Sequence, residues 1–577
     1  VVLVQAASLN DTLEVVAYDI ASMADTVSKA DGGTFEANVT FAAAADIITA
    51  TAGTDNVRLG ENAGDSITSG GANNVTIGKN AGTAITTGKK ATLIGAEAGE
   101  ALVDGDNNTA VGYQALTADT NGEKSVAVGT FALTAQNQSS LTDTHNTAVG
   151  YQAGTSVTTG TNNTFIGARN GDAVTTGVSN VAVGDEALGS ETTANRSVAV
   201  GVGALLNQNV GSGSNAYNVA VGHAAGNQIT SGTQNTIVGA LAGDALTTGG
   251  LTAVGYSAGS AVETGVGNVF MGELSGTLVT SNNNTAVGSQ ALSSAVGGHS
   301  NASFGHDAGR LITGSRNTCI GNDAGAAATS IDDCVIIGSG AGSTATMTGH
   351  DNILIGSSAA SNVTAGRNIC IGKDAGATAT DLTTGTDNII IGYQARANAG
   401  GMTNAIVMGD SVTAQGNNEF TFGNGSTDSN IVFGATSINA PSDERYKEEV
   451  ATSTAGLSFI NDLRPVTFKW KKEKDVPSDH EAYVEGSDTR VMLSTGETNH
   501  GFIAQEVKTA IDAHSEIKDG FRMWSEDQRY DDDGNVIADG RQRVAPSELI
   551  PILTKAIQEL SAKNDALETR IAALEAE

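Results

Sequence analysis

Asn108-Thr109-Ala110-Val111-Gly112-Tyr113-Gln114-Ala115-Leu116 returns as Asn146-Thr147-Ala148-Val149-Gly150-Tyr151-Gln152-Ala153-Gly154, and again as Asn388-Ile389-Ile390-Ile391-Gly392-Tyr393-Gln394-Ala395. Looser copies of Asn-x-(Ala/Thr/Ile)-(Val/Ile)-Gly-x-x-Ala-(Gly/Leu) fill residues 56–423. Their glycines stand at 60, 78, 95, 112, 129, 150, 167, 184, 201, 222, 239, 255, 272, 288, 305, 321, 338, 356, 372, 392, 409 and 423, which is 22 positions. The mean spacing is about 17 residues, and a fixed period this short belongs to a stacked repeat, not to separate globular domains.

Each unit has a physical reading. Three β-formers precede the glycine, so two side chains face one way and one the other. The glycine permits a corner at positive φ. The alanine three residues later is small enough for stacked coils to approach. A second turn follows in many units, as in Thr158-Thr159-Gly160, Thr175-Thr176-Gly177 and Thr383-Thr384-Gly385. Two short strands and two turns per unit are therefore expected. Asparagine precedes the strand at Asn74, Asn163, Asn235, Asn317 and Asn404, and stacking predicts a ladder of amides bonded to one another. The fold class predicted is mainly β: a parallel β-solenoid or β-roll shaft. At roughly 4.8 Å per coil, 22 coils make a rod of about 105 Å.

Composition limits the rest. The net charge of -33 argues against a nucleic-acid surface, which needs clustered Lys and Arg. With 73 glycines but only 5 prolines, the shaft reads as glycine-turned and ordered. Aromatics are 4% of the chain, so its core is slim and aliphatic. Cys319, Cys334 and Cys370 read as buried free thiols and not as a disulfide framework. No apolar run reaches membrane-spanning length, and Val1-Val2-Leu3-Val4 lacks a basic leader, so neither membrane insertion nor a signal peptide is expected. No cofactor and no metal site is predicted. The histidines show no ligand spacing, Asp531-Asp532-Asp533-Gly534-Asn535 reads as a hairpin turn, and Gly338-Ser339-Gly340-Ala341-Gly342 reads as a repeat corner.

On either side of the shaft the pattern breaks. Residues 1–55 are a lead-in or attachment segment, with an alternating stretch Phe35–Phe41 that suggests a strand. Residues 424–441 form a connector with a last strand at Asn430-Ile431-Val432-Phe433-Gly434. Beyond Pro441 the sequence turns irregular and charged and carries both tryptophans, Trp470 and Trp524. A border this abrupt separates domains with different jobs. The chain closes on a heptad seam, Leu553, Ile557, Leu560, Asn564, Leu567, Ile571 and Leu574, within a coiled coil at 549–577. Ile at a, Leu at d and one Asn favour two strands on that rule.

Four stretches of residues 442–577 together resemble the intramolecular chaperone domain of phage tail fibres and tailspikes, the peptidase S74 family. They are Ser442-Asp443-Glu444-Arg445-Tyr446-Lys447, the Gly456–Trp470 stretch with Leu463, Pro465 and Val466, His500-Gly501-Phe502-Ile503-Ala504-Gln505-Glu506-Val507, and Leu549–Leu560. The shaft pattern resembles the head repeats of trimeric autotransporter adhesins, whose period is nearer 14 residues. These resemblances imply a homotrimer, and the trimeric reading of the seam follows them. They also imply self-cleavage: Ser442 Oγ attacks the Pro441 carbonyl while Lys447 takes the proton, with Asp443 and Gln505 as possible support. Lysine serves as a base only when neutral, which needs burial or nearby positive charge. On the hexapeptide alone, Ser442 reads as a helix N-cap. Residues five apart on a regular helix point about 140° from each other, so the 442–447 stretch cannot be plain helix if both act together. Asp443 stands where some members have Asn, which leaves its role open.

The function expected is a phage tail fibre that attaches to a host-surface glycan or protein receptor. Its N-terminal end would join tail or baseplate proteins. It would be made in the host cytoplasm and displayed on the extracellular virion. A polysaccharide-depolymerising tailspike is the first alternative, but Glu97, Asp185, Glu186, Asp307 and Asp374 are scattered at turns and no unit carries a long catalytic insert. A bacterial surface adhesin or predator fibre with the same chaperone is the second; the coiled-coil ending disfavours an autotransporter.

Overall fold

The computed structural model describes residues 53–576, apart from 212, 378–381, 426, 436–437, 439–441, 443, 479, 481, 492–495, 528, 531–535 and 538–541. The lead-in up to residue 52 with Phe35–Phe41, and the turn Asp531–Asn535, lie outside these. The chain divides into two compact units, Val1–Pro441 and Ser442–Glu577.

The first unit is a stacked series of coils built on one parallel sheet. Val57–Leu59 pairs in register with Val75–Ile77, that with Thr92–Ile94, and so on to Glu419–Asn424. All 22 glycines named above take φ between 129° and 141°, a region that residues with a Cβ rarely enter. There is a second reason for glycine. A Cβ on Gly112 would come 2.5 Å from the carbonyl oxygen of Gly129 in the next coil. The alanine three residues on, such as Ala115, Ala132 and Ala153, is fully buried.

The expected second strand of each coil is not formed as a rule. Gly122–Glu123 pairs with Thr142–Asp143, and elsewhere there are isolated bridges such as Asn195 with Asn215. The threonine turns instead converge on a shared carbonyl of the next coil: Thr158 N (2.9 Å) and Gly160 N (3.3 Å) both donate to Thr175 O, and Thr383 N, Thr384 N and Gly385 N all donate to Gly400 O at 2.9–3.0 Å. The asparagine ladder also differs from expectation. Asn163 Oδ1 accepts from the backbone N–H of Asn180, and Asn163 Nδ2 donates to the Gly177 carbonyl, both at 2.9 Å. Bonds between amide side chains are the minority case, as from Asn235 Nδ2 to Asn218 Oδ1 at 2.9 Å. Side chain meets backbone because each turn leaves one N–H and one carbonyl without a strand partner. Asn404 is not in this column: it lies one residue early and exposed, and Ala405 holds the slot.

Size compensation fills the core. In five of the eight coils whose central strand residue is alanine, a leucine follows the buried alanine of the corner, as in Ala110 with Leu116, Ala127 with Leu133 and Ala182 with Leu188; after Ala148, Ala220 and Ala253 the slot holds glycine. Where the central residue is phenylalanine, glycine follows: Phe165 with Gly171 and Phe270 with Gly276. A Cβ on Gly171 would lie 2.3 Å from the Phe165 ring. The core therefore closes within a single chain. The three thiols are buried and free, and burial pushes Cys319 and Cys370 up to about 12. Cys334 sits in the asparagine slot, its sulfur accepting from the Asn352 N–H at 3.4 Å. The last coil is capped by Thr427–Val432, which runs antiparallel to Glu419–Asn424 and starts three residues before the predicted strand. That hairpin covers a sheet edge that would otherwise stay open.

In the second unit, helix α1 (Leu457–Asp462) packs on helix α3 (Leu549–Glu575). Val466–Phe468 pairs antiparallel with Asn499–Gly501, which leads into α2 (Ala504–Ala513). Phe459, Val507, Ile511, Met523, Leu549 and Ile552 form its core. Glu559 Oε2 accepts the Leu457 N–H at 2.9 Å, and a Cβ on Gly456 would strike that carboxylate at 2.8 Å.

Candidate functional site

Ser442 and Lys447 are brought together. A 3-10 turn over Glu444–Tyr446, closed by Lys447 N–H to the Glu444 carbonyl at 3.0 Å, folds the lysine back toward the serine. Lys447 Nζ then donates to Ser442 Oγ at 2.8 Å. The stretch is not a plain helix, which is the condition for the two groups to meet. Both side chains are exposed in the single chain. Chemically, a hydroxyl and an amine in hydrogen-bond contact are a nucleophile and its potential base, once the amine has lost its proton. Pro441 and Asp443 lie outside the described residues. Gln505 is exposed in the first turn of α2, and among the described residues no hydrogen bond joins it to Ser442 or Lys447.

Elsewhere in the second unit charged contacts join its segments. Arg464 pairs with Glu506 through both carboxylate oxygens, which lowers the glutamate pKa. His514 meets Asp462 at 2.8 Å and Glu516 at 3.1 Å, and the Asp462 bond raises its pKa. The seam of α3 is open: Leu553, Ile557, Leu560, Leu567, Ile571 and Leu574 are 40–66% exposed.

On the shaft, Glu97, Glu186, Asp307 and Asp374 occupy one column, two residues after the corner glycine, each at φ between 54° and 60°. Asp185 and Glu186 both pair with Arg169. Three groups that the sequence reading left apart come together: ligand atoms of His306, Asp307 and Asp323 lie within 4.8 Å of one another, with Arg310 at 3.6 Å from Asp307. The clue was the period, since 307 and 323 are one coil apart. Two buried carboxylates also went unread. Asp119 accepts from Gln136 Nε2 (2.5 Å), Gly122 N (2.9 Å) and Gln138 N (3.3 Å). Glu191 accepts from Gln208 Nε2 (3.0 Å), Ala194 N (2.7 Å) and Val210 N (3.3 Å). Acids so enclosed are structural and present no carboxylate to a substrate. No helix among the described residues is long and apolar enough to cross a membrane.

Residues 442–515 match the Peptidase_S74 family model, described as chaperone of endosialidase. No curated protein and no solved structure matches the chain.

Proposed function

We propose that this chain, a β-solenoid shaft followed by a domain of the endosialidase-chaperone kind, is a trimeric phage tail fibre for host attachment whose C-terminal domain aligns three copies and then cuts itself away. The observation that carries this reading is the exposed heptad seam of α3, which is left uncovered among the described residues and fits copies of itself. The shaft adds a second apolar surface. Its strands read half-buried, buried, half-buried, so aliphatic side chains such as Val181 and Val183, or Ile389 and Ile391, line the outward face of the sheet coil after coil.

The order of events follows from folding physics. Long parallel pairing is slow, and its intermediates expose strand edges that aggregate. A C-terminal bundle would hold three chains in register while the coils stack. Burial of Lys447 under neighbouring chains would favour its neutral form and let it take the proton of Ser442 as the serine oxygen attacks the Pro441 carbonyl; the Pro441–Ser442 amide then breaks, its nitrogen taking up the proton, and water hydrolyses the ester that still joins the two parts. Loss of the bundle then removes the route back, and the shaft is kinetically trapped. The N-terminal end would join the tail, and the shaft would meet the host surface outside the cell.

The test is a denaturing gel of the assembled protein. Wild type gives two fragments, the smaller beginning Ser-Asp-Glu-Arg, while Ser442→Ala gives one uncut chain that still assembles. A wild-type chain that stays whole in the trimer makes the C-terminal domain a permanent cap. A wild-type monomer with a folded shaft ends the trimer reading.

A further inference from the structure

Residues 53–441 contain twelve aromatic side chains, and three of them stack in consecutive coils. Tyr113, Phe131 and Tyr151 lie edge to face, with ring centroids 5.5 Å and 6.3 Å apart. Tyr113 is 45% exposed and Tyr151 is 50% exposed. The rings alternate between two columns. The tyrosines follow the corner glycine directly, and Phe131 stands one residue further, beside Thr130. The amides of Gln114 and Gln152 fill the remaining places of the second column. The result is a chequerboard of rings and amides across three coils. Among the described residues neither tyrosine hydroxyl has a hydrogen-bond partner.

Phe131 is the costly member. It sits at φ 63°, in a column that holds Asn62, Asn80, Gln114 and Gln152 in other coils, and also the bulky Leu241 and Leu274. Asparagine tolerates this left-handed conformation far better than a bulky aromatic. The three coils bear no formal charge in either column. The nearest charges in those columns are Glu97 below, which accepts from Gln114 Nε2 at 2.6 Å, and Arg169 above, which is taken up by Asp185 and Glu186.

We infer that this chequerboard is a glycan-binding surface for neutral sugar rings, a conclusion that rests on the host-attachment reading and locates its receptor site. A pyranose has one face of weakly positive C–H groups and a rim of hydroxyls. The C–H face packs on the electron-rich face of an aromatic ring. The hydroxyls meet the glutamine amides, Thr130 and the free phenols. An anionic ligand finds no cation free in these columns and is repelled by a chain of net charge -33. The surface lies at the corner of the coils, apart from the sheet face assigned to association.

The full-length protein is tested on an array of bacterial O-antigen, capsular and mammalian oligosaccharides, alongside binding to host cells. Phe131→Asn removes a ring and relieves its backbone, so lost binding cannot be assigned to misfolding. Wild type binds neutral hexose-containing glycans, and Tyr113→Ala, Tyr151→Ala and Phe131→Asn each weaken this at least tenfold. Tyr256→Ala, at an exposed tyrosine elsewhere on the shaft, binds as wild type. Variants that bind like wild type overturn the site while the attachment reading stands. So does a wild type that binds cells but no glycan, since its receptor is then a protein. A wild type that binds neither overturns both.

Discussion

Gly184→Ala is the smallest perturbation that tests how the shaft is built. At φ 133° the added Cβ would sit 2.6 Å from the carbonyl oxygen of Gly201 and 2.7 Å from its carbonyl carbon. Ordinary contact begins at 3.4 Å, so the next coil must move by about 0.8 Å. That movement strains two interstrand bonds, Gly184 N to Ile166 O at 2.8 Å and Gly201 N to Val183 O at 2.7 Å. The backbone strain costs about 1–3 kcal/mol. Weakening a buried hydrogen bond adds about 1 kcal/mol, and the sum is about 2–4 kcal/mol. Gly213→Ala is the control: it is also left-handed, at φ 68°, but nothing lies within 4 Å. It should cost only about 1–2 kcal/mol. Because stacked repeats yield locally, the assay is native-state hydrogen exchange of the amides in the coils around residue 184. Protection within about 0.5 kcal/mol of wild type, near the size of an ordinary surface change, refutes the close-stacked corner. The Gly184→Val substitution should be worse still.

Gly171→Ala should cost about 1–3 kcal/mol by overpacking against Phe165, and adding Phe165→Leu should restore most of it; a chemical-denaturation cycle with additive effects would refute the size compensation. Asp119 carries a pH signature, because burial holds its carboxyl above the ordinary 3.8. The folded chain then keeps this proton more tightly than the unfolded chain, so the stability it contributes is full below 3.8 and declines as pH rises toward the folded value. Asp119→Asn removes that titration, so wild type should lose stability relative to the variant as pH rises above 3.8; a flat difference across that range refutes it.

The period made the sheet legible. Every corner glycine and buried alanine follows from local chemistry repeated, and stacking turns a 17-residue spacing into adjacency. What happens between coils was less legible. The second side of each coil was expected to be strand, yet the Thr-Thr-Gly turns send their N–H groups to one carbonyl of the next coil, without the two-sided ladder that defines a strand. The asparagines were expected to bond each other, yet Asn163 satisfies a backbone N–H and a backbone carbonyl that no strand can reach. The matching of Phe165 with Gly171 needs two positions compared at once, and a single column hides it. At the candidate site, the failure of a regular helix to join residues 442 and 447 already demanded a tighter turn, and the 3-10 turn supplies it. Gln505 came from resemblance alone, and no contact draws it in. His306, Asp307 and Asp323 lacked local ligand spacing and met only through the coil period.

The buried carboxylates explain how the shaft tolerates irregular coils. The two longest coils, between Gly129 and Gly150 and between Gly201 and Gly222, each span 21 residues. Each begins with serine in the asparagine slot, Ser125 or Ser197, whose side chain is too short to do both of an asparagine's jobs. In each a buried glutamine takes over. Gln136 donates to Ser125 Oγ and accepts from Asn146, and Gln208 does the same with Ser197 and Asn218, all at 2.8–2.9 Å. The acid of the preceding coil then holds the glutamine and the first backbone N–H groups of the longer loop. Every member of one network lies 72 residues from its counterpart in the other, as 119 does from 191 and 136 from 208. Substituting any one member leaves its buried neighbours unpaired, which costs more than the bond itself was worth. The acid itself varies, Asp119 in one network and Glu191 in the other, so what the 21-residue coil requires is a buried carboxylate together with its serine, glutamine and asparagine.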